Sequence, residues 1–230
     1  MLLLDTSGSM RGPRLAALNQ ALEEFADDLR RDAVASRRIE IAVVTFGSEV
    51  SVVQRFVTAE RFRAPVLTAS GQTAMGAGIE QALTLIDARK KAYRRHGLPY
   101  YRPWVLMITD GKPEGEPDST VARAAERLRA EEAAKRVALF AVGVEGADLG
   151  RLRTLVVRQP LPLRGLRFDE LFVWLSASMQ AISKSQPGVR ITLPPMTWLK
   201  RISTVLKQNE ELIRDSVAIA RIVVRATLGA

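Results

Sequence analysis

The sequence contains no cysteine and only one histidine, His96, among its 230 residues. The absence of cysteine excludes disulfides, thiolate metal sites and cysteine nucleophiles. A zinc cluster or a catalytic triad built on histidine is disfavoured, because His96 stands alone beside Arg94 and Arg95 in a stretch typical of an exposed loop. The lack of cysteine also agrees with a cytoplasmic protein, which is the predicted localisation.

Long hydrophobic runs are missing as well. No stretch of 18 apolar residues occurs, so no membrane span is predicted. The N-terminus lacks a basic segment followed by a cleavable apolar one, so no signal peptide is predicted either. Hydrophobic residues make up 47% and charged residues 26%, an ordinary globular composition. The length fits one large α/β domain, alone or with an appendage.

Acidic residues are outnumbered, with 25 Asp and Glu against 34 Lys and Arg and a net charge of +9. A basic chain can bind nucleic acid. Here the basic residues, mostly arginine, are scattered along every predicted helix without a stripe of interleaved aromatic residues. We therefore interpret them as solvated faces and predict neither a nucleic-acid partner nor a membrane partner. A positive field that steers an acidic partner is the functional alternative.

Short apolar runs alternate with helical patterns along most of the chain. Strand-length runs occur at 39–46, 104–109 and 137–144, and apolar residues at three- and four-residue spacing mark the helices between them. This alternation predicts an α/β fold, a doubly wound and mostly parallel sheet with helices on both faces. Segment 50–57 is expected to be an antiparallel or edge strand, and 161–166 a weak last strand because of its prolines.

The chain is predicted to divide into three parts. Residues 1–183 form the α/β domain, residues 184–195 form a linker rich in Ser, Gln, Gly and Pro, and residues 196–230 form a C-terminal helical extension. Apolar residues recur at seven-residue spacing in the extension, but half of the second register is polar, which disfavours a strong coiled coil. We therefore expect an amphipathic helix that docks on the domain or on a partner, rather than a homodimer.

Three short polar stretches carry the candidate chemistry. Residues 4–10 read Leu-Asp-Thr-Ser-Gly-Ser-Met, and the other two stretches are Ser-Gly-Gln-Thr at 70–73 and Thr-Asp-Gly at 109–111. Their oxygen ligands suit a small hard cation such as Mg²⁺. Asp5 and Asp110 both follow predicted buried strands, and open parallel sheets bind ligands at the carboxyl ends of their strands.

Each stretch alone also has a purely structural interpretation. The turn that begins at Asp5 could be a strand-to-helix turn with side-chain caps. The pair Asp110-Gly111 alone is a common turn signal, and Thr73 alone carries no information. The order of the whole set on an α/β pattern is what favours a site.

Together these residues resemble the metal-ion-dependent adhesion site (MIDAS) of von Willebrand factor A (vWA) domains. The family pattern is Asp-x-Ser-x-Ser, a distant Thr and a distant Asp, which corresponds here to Asp5, Ser7, Ser9, Thr73 and Asp110. The resemblance covers residues 2–193. The local sequences Ser-Gly-Gln-Thr-Ala-Met-Gly and Thr-Asp-Gly-Lys-Pro are similar to the TerY-like bacterial branch, which is associated with tellurium-resistance and stress operons.

The resemblance implies Mg²⁺ or Mn²⁺ as the cofactor and a non-catalytic adaptor whose protein partner supplies an acidic side chain to the metal. Kinase- or phosphatase-type proteins are the partners that the TerY-like association implies. Two alternatives stay open. A metal-dependent phosphohydrolase would want another acid where Ser7 stands. A partner subunit of an AAA+ ATPase in a chelatase-like complex would leave ATP binding to another protein, because this sequence has no P-loop.

Overall fold

The computed structural model describes residues 1–186 and 192–196. In that part of the chain, one six-stranded sheet has the strand order β3-β2-β1-β4-β5-β6. The strands are β1 (Leu2–Asp5), β2 (Glu40–Phe46), β3 (Val50–Thr58), β4 (Trp104–Thr109), β5 (Ala138–Gly143) and β6 (Leu161–Pro162). Neighbouring strands pair in parallel except β2 and β3, which pair antiparallel. The predicted α/β class, a mostly parallel sheet with an antiparallel edge strand, is therefore confirmed.

Six helices cover the sheet in the described residues. They are α1 (Pro13–Arg31), α2 (Ala35–Arg38), α3 (Met75–Arg95), α4 (Asp118–Ala133), α5 (Leu149–Leu155) and α6 (Phe168–Ser183), and a 3₁₀ turn spans Gly8–Met10. Side chains on β1 alternate between the two faces, as a strand requires. Leu2 and Leu4 pack with residues of α1 and α6, whereas Leu3 packs with residues of α3 and α4. Strands β1, β2, β4 and β5 are thus buried on both sides, which is why they read as continuous apolar runs, whereas the edge strand β3 alternates between partly buried and exposed residues.

The last strand, β6, is shorter than its apolar pattern predicts. The pattern predicts a strand over 161–166, but only Leu161 and Pro162 pair with β5. Proline has no N–H to donate to the ladder, so Pro162 restricts pairing at this edge of the sheet.

The C-terminal part of the prediction is covered only in part by the structure. Residues 192–196 lie against α6, where the Trp174 indole Nε1 donates to the carbonyl of Pro194 at 3.0 Å and Leu193 is buried. Residues 197–230, which carry the predicted helical extension, lie outside the described residues. The division at 183 and 195 stays a prediction. None of the described helices is long and apolar enough to cross a bilayer.

Candidate metal centre

The two aspartates of the predicted site lie at neighbouring strand ends. Asp5 is the last residue of β1, and Asp110 directly follows β4, the strand that pairs in parallel with β1. Both are buried, with 0% of Asp5 and 8% of Asp110 exposed. Because parallel strands end at the same edge of the sheet, both carboxylates belong to one edge of the fold.

The Asp5 carboxylate is held by two hydrogen bonds, and the described residues give it no cationic partner. Its Oδ1 accepts from the Ser7 backbone N–H at 2.8 Å, and its Oδ2 accepts from the Thr109 hydroxyl at 2.6 Å. Within the described part of the chain, no Lys, Arg or His side chain forms an ion pair with it. Burial raises the pKa of Asp5, the negative charge of Asp110 acts in the same direction, and the hydrogen bonds oppose them. A bound cation would relieve this buried charge.

Ser7 and Ser9 lie side by side on the turn after β1. Their hydroxyl oxygens are 2.9 Å apart, Ser7 is buried, and Ser9 is exposed. Gly8 separates them and donates its backbone N–H to the carbonyl of Gly71 at 2.9 Å. A Cβ at Gly8 would lie 3.2 Å from that carbonyl oxygen, so a larger residue would push the two loops apart. The turn therefore presents two adjacent hydroxyls at a fixed distance from the loop that carries Thr73.

Thr73 is buried, with 3% of its surface exposed, and backbone hydrogen bonds hold its loop on both sides. On one side the Ser70 N–H donates to the carbonyl of Thr6 at 2.8 Å. On the other, Thr73 and Glu114 exchange two N–H to carbonyl hydrogen bonds of 3.0 Å each, which form an isolated bridge. The loops that carry Asp5, Thr73 and Asp110 are therefore joined to each other by main-chain contacts.

Three residues that support these loops were not predicted from the sequence. Thr109 binds Asp5, Arg14 Nη1 donates to the carbonyl of Ser9 at 3.0 Å, and the Glu116 carboxylate accepts the N–H groups of Gly76 and Ala77 at 2.7 and 3.1 Å. The sequence position of Thr109 could have indicated its role, since it directly precedes Asp110 at a predicted strand end. The sequence gives no comparable signal for Arg14 or Glu116, because their partners depend on the folded loops.

The donor set is rich in hydroxyls and poor in charge. In the described residues, no group of three or more His, Cys, Asp and Glu side chains is placed to hold a metal. Two carboxylates with three hydroxyls suit a hard, oxygen-preferring ion rather than Zn²⁺ or Cu²⁺. The Asp5 charge, which is buried and has no ion pair among the described residues, agrees with such an ion. His96 follows the far end of α3, a 21-residue helix about 30 Å long that starts beside Thr73, so it takes no part.

Comparisons with known proteins agree on the fold. The family model of the von Willebrand factor type A domain matches residues 1–161. A von Willebrand factor type A structure from Catenulispora acidiphila is 21% identical with a TM-score of 0.56, and the match covers 78% of this chain and 42% of that one. The vWF domain of the type V pili tip protein Mfa5 from Porphyromonas gingivalis is 12% identical with a TM-score of 0.54, covering 80% of this chain and 92% of that one.

A third similar structure is the manganese-loaded TRAP protein of Plasmodium vivax, at 20% identity and a TM-score of 0.49, covering 75% of this chain and 71% of that one. Because the chain spans only 42% of the length of the Catenulispora protein, the match concerns one part of that molecule. Among proteins with curated functions, none matches the chain in sequence.

Proposed function

We propose a function for this chain, which belongs to the von Willebrand factor type A domain family. It acts as a non-catalytic protein-binding module that requires a divalent cation. One observation carries the proposal. Asp5 is a fully buried carboxylate without an ion pair in the described residues, and Asp110 lies at the end of the adjacent strand. A fold that buries an uncompensated charge loses stability unless a cation joins it.

Asp5, Ser7, Ser9, Thr73 and Asp110 are the residues that would hold Mg²⁺ or Mn²⁺. The bound ion would supply a Lewis-acid position that an acidic side chain of a protein partner can occupy. Within the chain, Asp5 is oriented by its two hydrogen bonds, and the Ser7 and Ser9 hydroxyls are kept adjacent by the turn at Gly8. With two carboxylates and three neutral hydroxyls in the set, a divalent cation bound there could still accept a further oxygen ligand from the partner.

The finer assignment rests on the local sequence. The stretches 70–76 and 109–113 support membership of the TerY-like branch, and with it an adaptor role in a bacterial tellurium-resistance or stress system alongside kinase- or phosphatase-type proteins. A cytoplasmic setting belongs to the same proposal. The genes that neighbour this one would test it, because genes for an AAA+ ATPase there would favour the chelatase-like alternative instead.

Thermal unfolding with and without metal tests the metal-dependent part. Binding to the folded state alone stabilises it by about 2.7 kcal/mol when the metal concentration is 100 times Kd, which corresponds to a rise in Tm of several degrees for a domain of this size. We expect MnCl₂ or MgCl₂ to produce this rise relative to EDTA, and Asp5→Asn to abolish it. Asp169→Asn, which alters an exposed aspartate in the first turn of α6, is the matched control.

A wild-type protein with the same Tm in Mn²⁺, Mg²⁺ and EDTA would refute the metal-dependent module. A phosphate-release assay on a generic phosphomonoester separates the functional classes. Metal-dependent phosphate release that Asp5→Asn removes would identify a phosphohydrolase instead of a binding module. The absence of phosphate release, at a metal concentration that raises Tm, supports the binding module.

A further inference from the structure

The Thr109 side chain connects two loops of the metal centre. Thr109 is the last residue of β4 and is completely buried. Its hydroxyl donates to Asp5 Oδ2 at 2.6 Å and accepts from the backbone N–H of Gly111 at 3.0 Å. One oxygen atom therefore contacts both the carboxylate at the end of β1 and the turn that carries Asp110.

The direction of both hydrogen bonds is fixed by chemistry. An ionised carboxylate can only accept, and a backbone N–H can only donate, so the single hydroxyl proton must go to Asp5. A hydrogen bond to an ionised acceptor is shorter and stronger than a neutral one. The Thr109 hydroxyl thus selects one orientation of the Asp5 carboxylate while it holds the Gly111 amide.

The Asp110 turn is also held from its other side. The Asp148 backbone N–H donates to the carbonyl of Asp110 at 2.9 Å. Gly111 has a φ of +82°, and a Cβ there would lie 2.8 Å from the carbonyl oxygen of Asp148, so the turn has little room to shift in that direction. The turn that carries Asp110 is therefore hydrogen-bonded to Thr109 on one side and to Asp148 on the other.

We propose that Thr109 is a positioning residue of the metal centre, which orients the Asp5 carboxylate and sets its placement relative to Asp110. This inference rests on the proposed metal-binding function and adds a residue outside the five candidate ligands. Groups that orient a ligand typically change metal affinity by about 10- to 100-fold when they are removed. The hydroxyl carries the effect, so serine should replace threonine here and valine should not.

Mn²⁺ titration of the full chain by isothermal calorimetry tests the proposal. We expect Thr109→Val to weaken Mn²⁺ binding by about 10- to 100-fold and Thr109→Ser to stay close to the wild type. Thr45→Val is the matched control, because Thr45 is a buried threonine on the neighbouring strand β2, paired with Leu4 rather than Asp5. It should leave the Mn²⁺ affinity unchanged. Urea unfolding in EDTA, measured on the same variants, separates loss of stability from loss of affinity.

The outcomes distinguish this inference from the proposed function. A wild-type chain that binds neither Mn²⁺ nor Mg²⁺ overturns both. A wild type that binds, with Thr109→Val binding equally well, overturns the role of Thr109 alone. Equal weakening by Thr109→Ser and Thr109→Val also overturns it, because the hydroxyl would then not matter. If Thr109→Val does not fold, Thr109→Ala and Thr109→Ser are compared instead, and the same affinity difference between them is required.

Discussion

Replacing Gly71 by alanine should both destabilise the fold and disturb the turn that carries Ser7 and Ser9. Gly71 has a φ of +71°, in the left-handed region where a side chain costs about 1–2 kcal/mol. A Cβ there would overlap the Ser48 hydroxyl and lie 3.0 Å from Ser48 Cβ. Ser48 Oγ accepts from the Gln72 N–H at 2.9 Å, so moving it away gives up a hydrogen bond worth about 0.5–1.5 kcal/mol.

Summed with a modest overpacking cost, Gly71→Ala should lower the free energy of unfolding by roughly 2–4 kcal/mol. Gly165→Ala is the matched control, because Gly165 has a φ of +60° and no atom of the described residues lies within 4 Å of the position that its methyl group would take. It should show only the left-handed cost of about 1–2 kcal/mol. Urea unfolding in EDTA measures both values without any contribution from metal.

A double-mutant cycle isolates the contact with Ser48. In a Ser48→Ala background the hydroxyl overlap is gone, so the additional cost of Gly71→Ala should fall by about 0.5–1 kcal/mol. Equal losses at Gly71 and Gly165, or no coupling to Ser48, would refute the reasoning. Mn²⁺ affinity should fall in Gly71→Ala as well, because the carbonyl of Gly71 accepts from Gly8 between the two serines.

Two further predictions concern charged groups away from the metal centre. Glu132→Gln should destabilise the fold by about 3–5 kcal/mol in urea unfolding. The reason is that Arg102 and Arg158, both paired with the buried Glu132 carboxylate, lose their anion. A loss of stability below about 1 kcal/mol would contradict this prediction. The Arg136 guanidinium lowers the pKa of Glu131 below its usual value of 4.5. The ionised Glu131 therefore stabilises the fold at pH values above 4.5, and this stabilisation is lost as the pH falls through the lowered pKa. Glu131→Gln should therefore flatten the acid side of a stability–pH profile, and an unchanged profile would contradict the pairing.

Strands β2 and β4 were predictable because they are buried on both faces. The run at 104–109 matches β4 residue for residue, and the run at 39–46 matches β2 within one residue. Helix α2 was not predicted, since its four residues are too few to show a periodic pattern. Its start depends on Asp32, whose Oδ1 accepts from the Ala35 N–H at 2.8 Å.

The site was predictable only as a set of strand ends and loops. The placement of Asp5 and Asp110 follows from the rule that parallel strands end at one edge. The supporting contacts depend on distances that no local pattern encodes. Glu116 reaches Gly76 across 40 positions in the chain, and Thr109 reaches Asp5 across 104.

The first turn of α3 is held by Glu116, a residue from a distant part of the chain. The residue before α3, Ala74, offers no side-chain cap, so the carboxylate that closes the first turn arrives from a loop beyond β4. The start of α3 therefore depends on a contact across 40 positions of the chain, and a contact of that sequence separation costs more loop-closure entropy than a local cap. In native-state hydrogen exchange, the amides of Gly76 and Ala77 report how often that loop detaches, and hence how often the Asp110 side of the metal centre opens.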